Sequence, residues 1–209
     1  MARINEQERL LQLAQREREL WANGIMAAGM DEVGRGPLAG PVVTCCVILP
    51  PEPLIEGVND SKKVTALRRS KLAPIIEAQA VGIGYGWGSN EEIDESNILN
   101  ATKKAFCEAY YNMKIACSDV LIDAVKGLDI PARQHPIIHG DALSYLIGAA
   151  SIAAKVKRDE YMIKMAELYP QYGFERNKGY GTAEHIAAIK KYGPCPIHRK
   201  SFLCNILTE

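Results

Sequence analysis

Asp31 and Glu32 stand side by side where a short apolar run, residues 25–30, gives way to a glycine-rich turn, and Asp123 ends a second run, Asp-Val-Leu-Ile-Asp at 119–123. Strand ends in α/β folds are where ligands collect. Three or four carboxylates with no His or Cys among them offer the oxygen-only donors of hard divalent cations, Mg²⁺ or Mn²⁺ ahead of Zn²⁺. Such a set repels itself until metal or protons neutralise it. Any one Asp alone is better explained as a solvated strand end or a cap, so the argument rests on the set. Neighbours on a regular strand point to opposite faces; Asp31 and Glu32 can share a site only if the strand ends or bulges there.

Two residues compete for a fourth place. Asp141 follows Gly140 at the start of a long helical stretch, and Asp159 lies eighteen residues further on. On a continuous helix that is five turns, roughly 27 Å, so only one can join the site. Asp141 is the better candidate, although N-capping alone would explain it. Asp159 is expected to pair with Lys155 or Arg158. Gly34-Arg35-Gly36 fails as a P-loop, having no Gly-Lys-Ser/Thr, and as a dinucleotide fingerprint, because β-branched residues rather than a helix follow it. Its glycines do permit close backbone approach to a ligand.

The elements that must hold these residues can be read from patterning. Residues 4–21 spell an amphipathic helix with Leu10, Leu13, Leu20 and Trp21 on one side, ended by Asn23-Gly24. Residues 25–30 and 42–49 read as an antiparallel pair around the glycine turn, and 81–87 as a third strand. Ser61 is placed as the cap of a basic helix running to residue 79, and residues 89–113 carry helical spacing. After a loop at 131–136 a brief strand is expected at 137–139. An Ala-rich helix then begins near Asp141, followed by a turn-rich segment and a helix near 182–191. The sum is one mixed α/β sheet with helices packed on it. The division expected is a capping helix (1–24), a catalytic core (25–168) and a C-terminal extension (169–209).

Composition sets bounds. The 209 residues, with 25 basic and 25 acidic side chains, suit one soluble core and argue against binding nucleic acid by bulk charge. Yet residues 1–125 hold 13 basic against 17 acidic side chains, and residues 126–200 hold 12 against 7, so a local basic face remains open. The charged opening segment lacks the apolar stretch of a secretory signal, no run is long enough to span a membrane, and the six cysteines contain no C-x-x-C. A reducing cytoplasm is the expected location, and a monomer the expected state.

The ordered blocks DEVGRGPLAGPVV (31–43), GVNDSKK (57–63), NILNATKKA (97–105), LIDA (121–124), GD (140–141), GAASIAAKVKRD (148–159), YPQYGFERNKGYGTAEH (169–185) and PIHRKSF (196–202) resemble ribonuclease HII, the type 2 ribonuclease H family. The resemblance implies a ribonuclease H-like mixed sheet flanked by helices, with a helical C-terminal extension. It implies an endonuclease that cuts the RNA strand of RNA–DNA hybrids, and duplex DNA on the 5′ side of a single embedded ribonucleotide, leaving 3′-hydroxyl and 5′-phosphate ends. Carried over by motif, Asp31, Glu32, Asp123 and Asp141 are the catalytic, metal-binding carboxylates of a two-metal Mg²⁺ or Mn²⁺ site. Gly34, Arg35 and Gly36 sense the 2′-hydroxyl, and Tyr180 lies against the following nucleotide. Lys62, Lys63, Arg68, Arg69, Lys71, Arg176, Lys178, Arg199 and Lys200 become candidates for phosphate contacts, with His198 the better explained as structural. The chain departs from the family in lacking a Lys or Arg just after Gly140-Asp141, and in having Ala124 where some members have Gly, a change expected to be harmless. The rival functions are a non-catalytic nucleic-acid-binding module and a metal phosphoesterase for small nucleotides.

Overall fold

The segment VVTCCVI has no polar face to offer water. In the computed structural model, which describes residues 5–207, it forms β2 (Val42–Ile48), buried at every position. β2 pairs antiparallel with β1 (Ala27–Val33) on one side and β3 (Gly82–Gly88) on the other. β1 then runs parallel to β4 (Asp119–Asp123), and β4 parallel to β5 (Arg133–Ile137), giving the mixed order β3-β2-β1-β4-β5. The parallel pairs matter most, because they bring the carboxyl ends of β1 and β4 to the same edge of the sheet.

Alternation sorts the strand residues between two helical layers. Ala27, Cys45, Val47 and Leu121 face α7 (Tyr145–Leu168) and α3 (Ala66–Gln79), where α1 (Glu6–Leu13) and α2 (Gln15–Ala22) also pack through Leu10, Leu13 and Leu20. Met30, Cys46, Ile48, Val120 and Ile122 face α5 (Ile98–Asn112) through Phe106 and Ala109. Helix α7 fully buries Leu146, Ile147 and Ile152, each worth roughly 1.5–3 kcal/mol of transfer free energy. Strand and helix meet at Gly29, where a Cβ would lie 2.2 Å from the Leu146 carbonyl carbon. Only glycine lets β1 lie that close to α7. Short helices α4 (Asn90–Ser96) and α6 (Gly140–Leu143) occupy connections, while α8 (Phe174–Asn177), α9 (Ala183–Tyr192) and α10 (Cys204–Leu207) follow α7. Phe174 and Ile189 there share a third apolar cluster with Ala39 and Met162.

Several boundaries differ from the sequence expectation, each for a local reason. The N-terminal helix is two helices, broken at Ala14 (φ −89°, ψ 13°); residue 4, its expected start, lies outside the described residues. Thr65, not Ser61, caps α3, and 61–64 form a turn. Residues 89–113 split at Asn97, whose φ of 127° interrupts the helix. The last strand is Arg133–Ile137, which takes up most of the stretch expected to be loop and shares only Ile137 with the strand expected at 137–139; an edge strand tolerates Pro136, which a central strand would not. The long helix is broken at Ser144, whose extended backbone separates α6 from α7 and whose hydroxyl accepts from Ile147 N at 3.2 Å. Asp141 is therefore not a cap. His139 occupies that place, with left-handed backbone and no side-chain bond, and the 27 Å separation drawn from a continuous helix loses its premise.

Candidate active site

All eight residues assigned from the sequence line one cleft of about 260 Å³: Asp31, Glu32, Asp123 and Asp141 with Gly34, Arg35, Gly36 and Tyr180. The register explains the acidic part. Met30 lies opposite Ile122 in the parallel pair, and there the β1–β4 ladder stops. Asp31 and Asp123 are the next residues along each strand, and both strands turn to the α7 face at these positions. Against expectation, β1 neither ends nor bulges at Asp31, since it stays paired with β2 through Val33 opposite Val43. Its β4 side is what opens, which lets Glu32 reach the cleft beside its neighbour. Asp123 Oδ1 accepts the Gly140 amide at 2.8 Å, tying β4 to the start of α6 and so bringing Asp141 to the same edge.

Ala124, just past Asp123, has φ of +51°. A side chain strains there, so the Gly-to-Ala departure is not neutral for the backbone. The missing cation after Asp141 has a neighbour from elsewhere: Lys62 Nζ lies 3.5 Å from Asp141 Oδ2. The turn bearing Lys62 is held by Arg69, which donates to the Ser61 and Val64 carbonyls at 2.7 and 2.5 Å, and by a 2.8 Å bond from Ser151 of α7 to Ser61. Ser61, Ser151 and Lys155 also line the cleft, a place sequence reasoning did not give them, together with Arg69, a phosphate candidate from the sequence. The GVNDSKK and GAASIAAKVKRD blocks contain all but Arg69.

Burial and mutual repulsion set the acidic edge apart. Burial, then the charges of Glu32 and Asp123, push the Asp31 carboxyl well above the usual range, with the Ser151 hydroxyl pulling part of the way back. Burial also raises Glu32, against the opposing pull of Arg35 at 3.4 Å. Asp141 is raised by burial and Asp60. Glu32 Oε2 is buried without a hydrogen-bond partner. Among the described residues no three His, Cys, Asp or Glu side chains are gathered closely enough to hold a metal ion as they stand; the four carboxylates line a cleft instead. An oxygen-only donor set with an orphaned carboxylate oxygen and self-repelling charge fits a hard divalent cation.

Opposite the acids, the turn rests on two buried cations. Arg199 donates to the carbonyls of Gly34 (2.6 Å), Arg35 (3.0 Å) and Gly40 (2.9 and 2.7 Å). Arg158 donates to those of Pro41 (2.9 Å), Ala39 (3.1 Å) and Lys178 (2.9 Å). Both guanidiniums are fully buried, and among the described residues neither has a carboxylate ion-pair partner. Gly34 is obligatory above them: its φ is +94°, and a Cβ would meet Arg158 Nε at 2.2 Å. Tyr180 is set from behind. Its carbonyl accepts from His185 Nδ1 at 2.9 Å, His185 Nε2 meets His198 Nε2 at 3.0 Å, and His198 Nδ1 accepts the Cys195 amide at 2.9 Å. One tautomer set satisfies this chain, with both rings neutral. Burial and His185 lower His198 to about 4, in keeping with the structural role expected of it.

The basic candidates divide. Arg199 cannot touch phosphate, being spent on carbonyls, and Arg69 is engaged with the 61–64 turn and with Asp159 at 3.8 Å. Asp159 pairs with Lys155 at 2.5 Å as expected, but not with Arg158. Lys62 and Lys63 lie in a turn rather than on the basic helix. Arg176 is exposed and paired with Glu175 and Glu184.

Comparison with known proteins agrees with this architecture. Residues 28–205 match the family model for Ribonuclease HII. The chain is 52% identical over 192 residues to ribonuclease HII of Caldanaerobacter subterraneus subsp. tengcongensis, covering 91% of this chain and 80% of that protein. It is 52% identical over 203 residues to ribonuclease HII of Acetivibrio thermocellus, covering 97% and 79% respectively. The crystal structure of ribonuclease H2 from Pyrococcus horikoshii OT3 superposes with a TM-score of 0.74 at 26% identity, over 88% of this chain and 98% of that one. The mixed sheet with its helical C-terminal part is thus the ribonuclease H fold, and the chain belongs to the ribonuclease HII family, hydrolases that act as endonucleases on RNA–DNA hybrids.

Proposed function

We propose that the protein incises duplex DNA on the 5′ side of a single embedded ribonucleotide, as well as the RNA strand of hybrids, leaving 3′-hydroxyl and 5′-phosphate ends. The observation that carries this reading is the shared cleft: four carboxylates, one of them with a buried oxygen that has no hydrogen-bond partner, lie against a Gly-Arg-Gly turn and an exposed tyrosine. Asp31, Glu32, Asp123 and Asp141 would hold divalent Mg²⁺ or Mn²⁺, the cofactor type on which ribonucleases H depend. Bound there, two such ions supply Lewis acidity at the attacking and leaving oxygens.

The chain's own residues supply recognition. The 2′-hydroxyl is what separates a ribonucleotide from its deoxy neighbour at the sugar, and a backbone turn can donate to it and accept from it. Tyr180, 43% exposed and 3.9 Å from where a Gly36 Cβ would sit, has an aromatic body to pack on a sugar and a hydroxyl tip for a phosphate or ribose oxygen. Lys62, with its side chain 84% exposed beside the acids, can meet a phosphate flanking the cut. In this reading residues 25–168 are the catalytic core, 169–209 the substrate-contacting extension and 1–24 a cap, working as a monomer in the cytoplasm in ribonucleotide removal and RNA primer processing. No helix among the described residues is long and apolar enough to cross a membrane.

The test is a labelled DNA duplex with one ribonucleotide, incubated with protein and Mg²⁺ or Mn²⁺. Incision 5′ of the ribonucleotide, abolished by Asp31→Asn and slowed by Tyr180→Ala, is expected. Incision elsewhere, or unchanged by Asp31→Asn, refutes the proposal.

A further inference from the structure

Arg158 and Arg199 are large, charged and fully buried, a placement that normally demands a carboxylate partner. Both instead spend their donors on main-chain carbonyls, and the choice of carbonyls is informative. Arg199 takes Gly34, Arg35 and Gly40, the two ends of the turn. Arg158 takes Ala39 and Pro41, where the turn leaves for β2, and also Lys178, two residues before Tyr180. Its Cζ lies 6.0 Å from the Tyr180 ring centroid. The two guanidiniums are close enough that Arg158 helps depress the pKa of Arg199, after burial, so their charges oppose this arrangement while their hydrogen bonds hold it.

The planar trans peptide turns this into chemistry. A carbonyl and the amide N–H of the next residue point in opposite directions. With the Gly34 and Arg35 carbonyls drawn inward to Arg199, the N–H groups of Arg35 and Gly36 are aimed outward, on the cleft side. They are the donors a ribose hydroxyl would meet.

We infer that Arg158 and Arg199 are positioning residues for ribonucleotide cleavage: Arg199 aims the Arg35 and Gly36 amides, and Arg158 sets the spacing between that turn and Tyr180. The inference rests on the reading of the turn and Tyr180 given under Proposed function. Lysine cannot substitute, because one ammonium cannot reproduce a planar fork that reaches several carbonyls.

The experiment compares Arg158→Lys and Arg199→Lys with the parent on the single-ribonucleotide duplex, with melting curves to confirm folding at the assay temperature. Misplaced donors lower kcat roughly 100-fold, while KM stays within about twofold because phosphate contacts elsewhere hold the duplex. Parent-like kcat in the folded variants, a loss that merely tracks the folded fraction, or a rise in KM alone overturns the inference. Gly36→Ala and Tyr180→Ala run in the same assay separate the two levels. If these are also parent-like, the reading of the turn and Tyr180 fails; if they lose kcat while the arginine variants do not, only the positioning role fails. Should the lysine variants not fold, ¹⁵N relaxation of the parent decides. Order parameters of about 0.85 at Arg35 and Gly36 support a clamped turn, and values below about 0.6 overturn it.

Discussion

The two sides of the cleft both bury charge, and they treat it in opposite ways. On the acidic side Asp31 and Glu32 are desolvated, repel each other and Asp123, and leave Glu32 Oε2 without a partner. On the basic side Arg158 and Arg199 are buried more deeply, yet seven hydrogen bonds to carbonyls satisfy them. Burying an ion costs several kcal/mol unless something compensates. On the basic side the protein itself provides the compensation, and the charge shapes backbone; on the acidic side it does so only in part. In the proposed function the basic side would aim the turn and the acidic side would hold the cation.

The largest expected effect falls on the acidic side. Asp31→Asn lowers incision of the single-ribonucleotide duplex by roughly 100- to 1000-fold, the scale seen when a transition-state-stabilising group is removed. The same change raises the melting temperature of the cation-free protein, because it deletes a self-repelling buried charge. A variant that lost both activity and cation-free stability would show that Asp31 is held by structure rather than left open.

Next is the basic side, where the partners are backbone. Gly34→Ala puts a Cβ at φ +94° and 2.2 Å from Arg158 Nε, and the strain and overpacking together destabilise by about 3 kcal/mol. Urea denaturation measures this; a loss under about 1 kcal/mol would mean that the turn is not seated on the arginines as described.

A smaller effect tests backbone strain beside the acids. Ala124, at φ +51°, gains about 1 kcal/mol of stability on change to Gly, read as a higher urea midpoint. A lower midpoint would contradict the left-handed conformation.

Glu17 supplies a control, a buried carboxylate outside the cleft. Its Oε1 accepts from Ser144 and from Leu146 N at 3.0 Å, while Oε2 has no partner. Burial raises its pKa above the ordinary 4.5. The folded state then holds the proton more tightly than the unfolded chain, so this contribution is full below 4.5 and is lost as pH rises through the raised value. Glu17→Gln should flatten the fall in stability as pH rises above 4.5, read from urea midpoints taken across pH. An unchanged slope would place the titration elsewhere.

How much of this was legible follows from the same contrast. The carboxylates stood at the ends of apolar runs, where strand patterning and oxygen-donor chemistry both pointed, and β1 to β4 followed from alternation and β-branching. The arginine clamp left no such mark. Arg158 reads as a possible ion-pair partner of Asp159, and Arg199 as a phosphate contact, because a guanidinium bonded to carbonyls depends on which loops meet in space. Strand β5, RQHPI, was hidden by its polar, proline-containing edge position. The break between α6 and α7 was hidden by the absence of Gly or Pro, although Ser144 was there to cap.

The central proposal, that Asp31, Glu32, Asp123 and Asp141 hold a divalent cation, is tested most directly by calorimetric titration of Mn²⁺ into the parent, Asp31→Asn and Glu17→Gln. Binding to the parent that is weakened at least roughly tenfold by Asp31→Asn and left unchanged by Glu17→Gln is the predicted result. Equal binding by the parent and Asp31→Asn would contradict it.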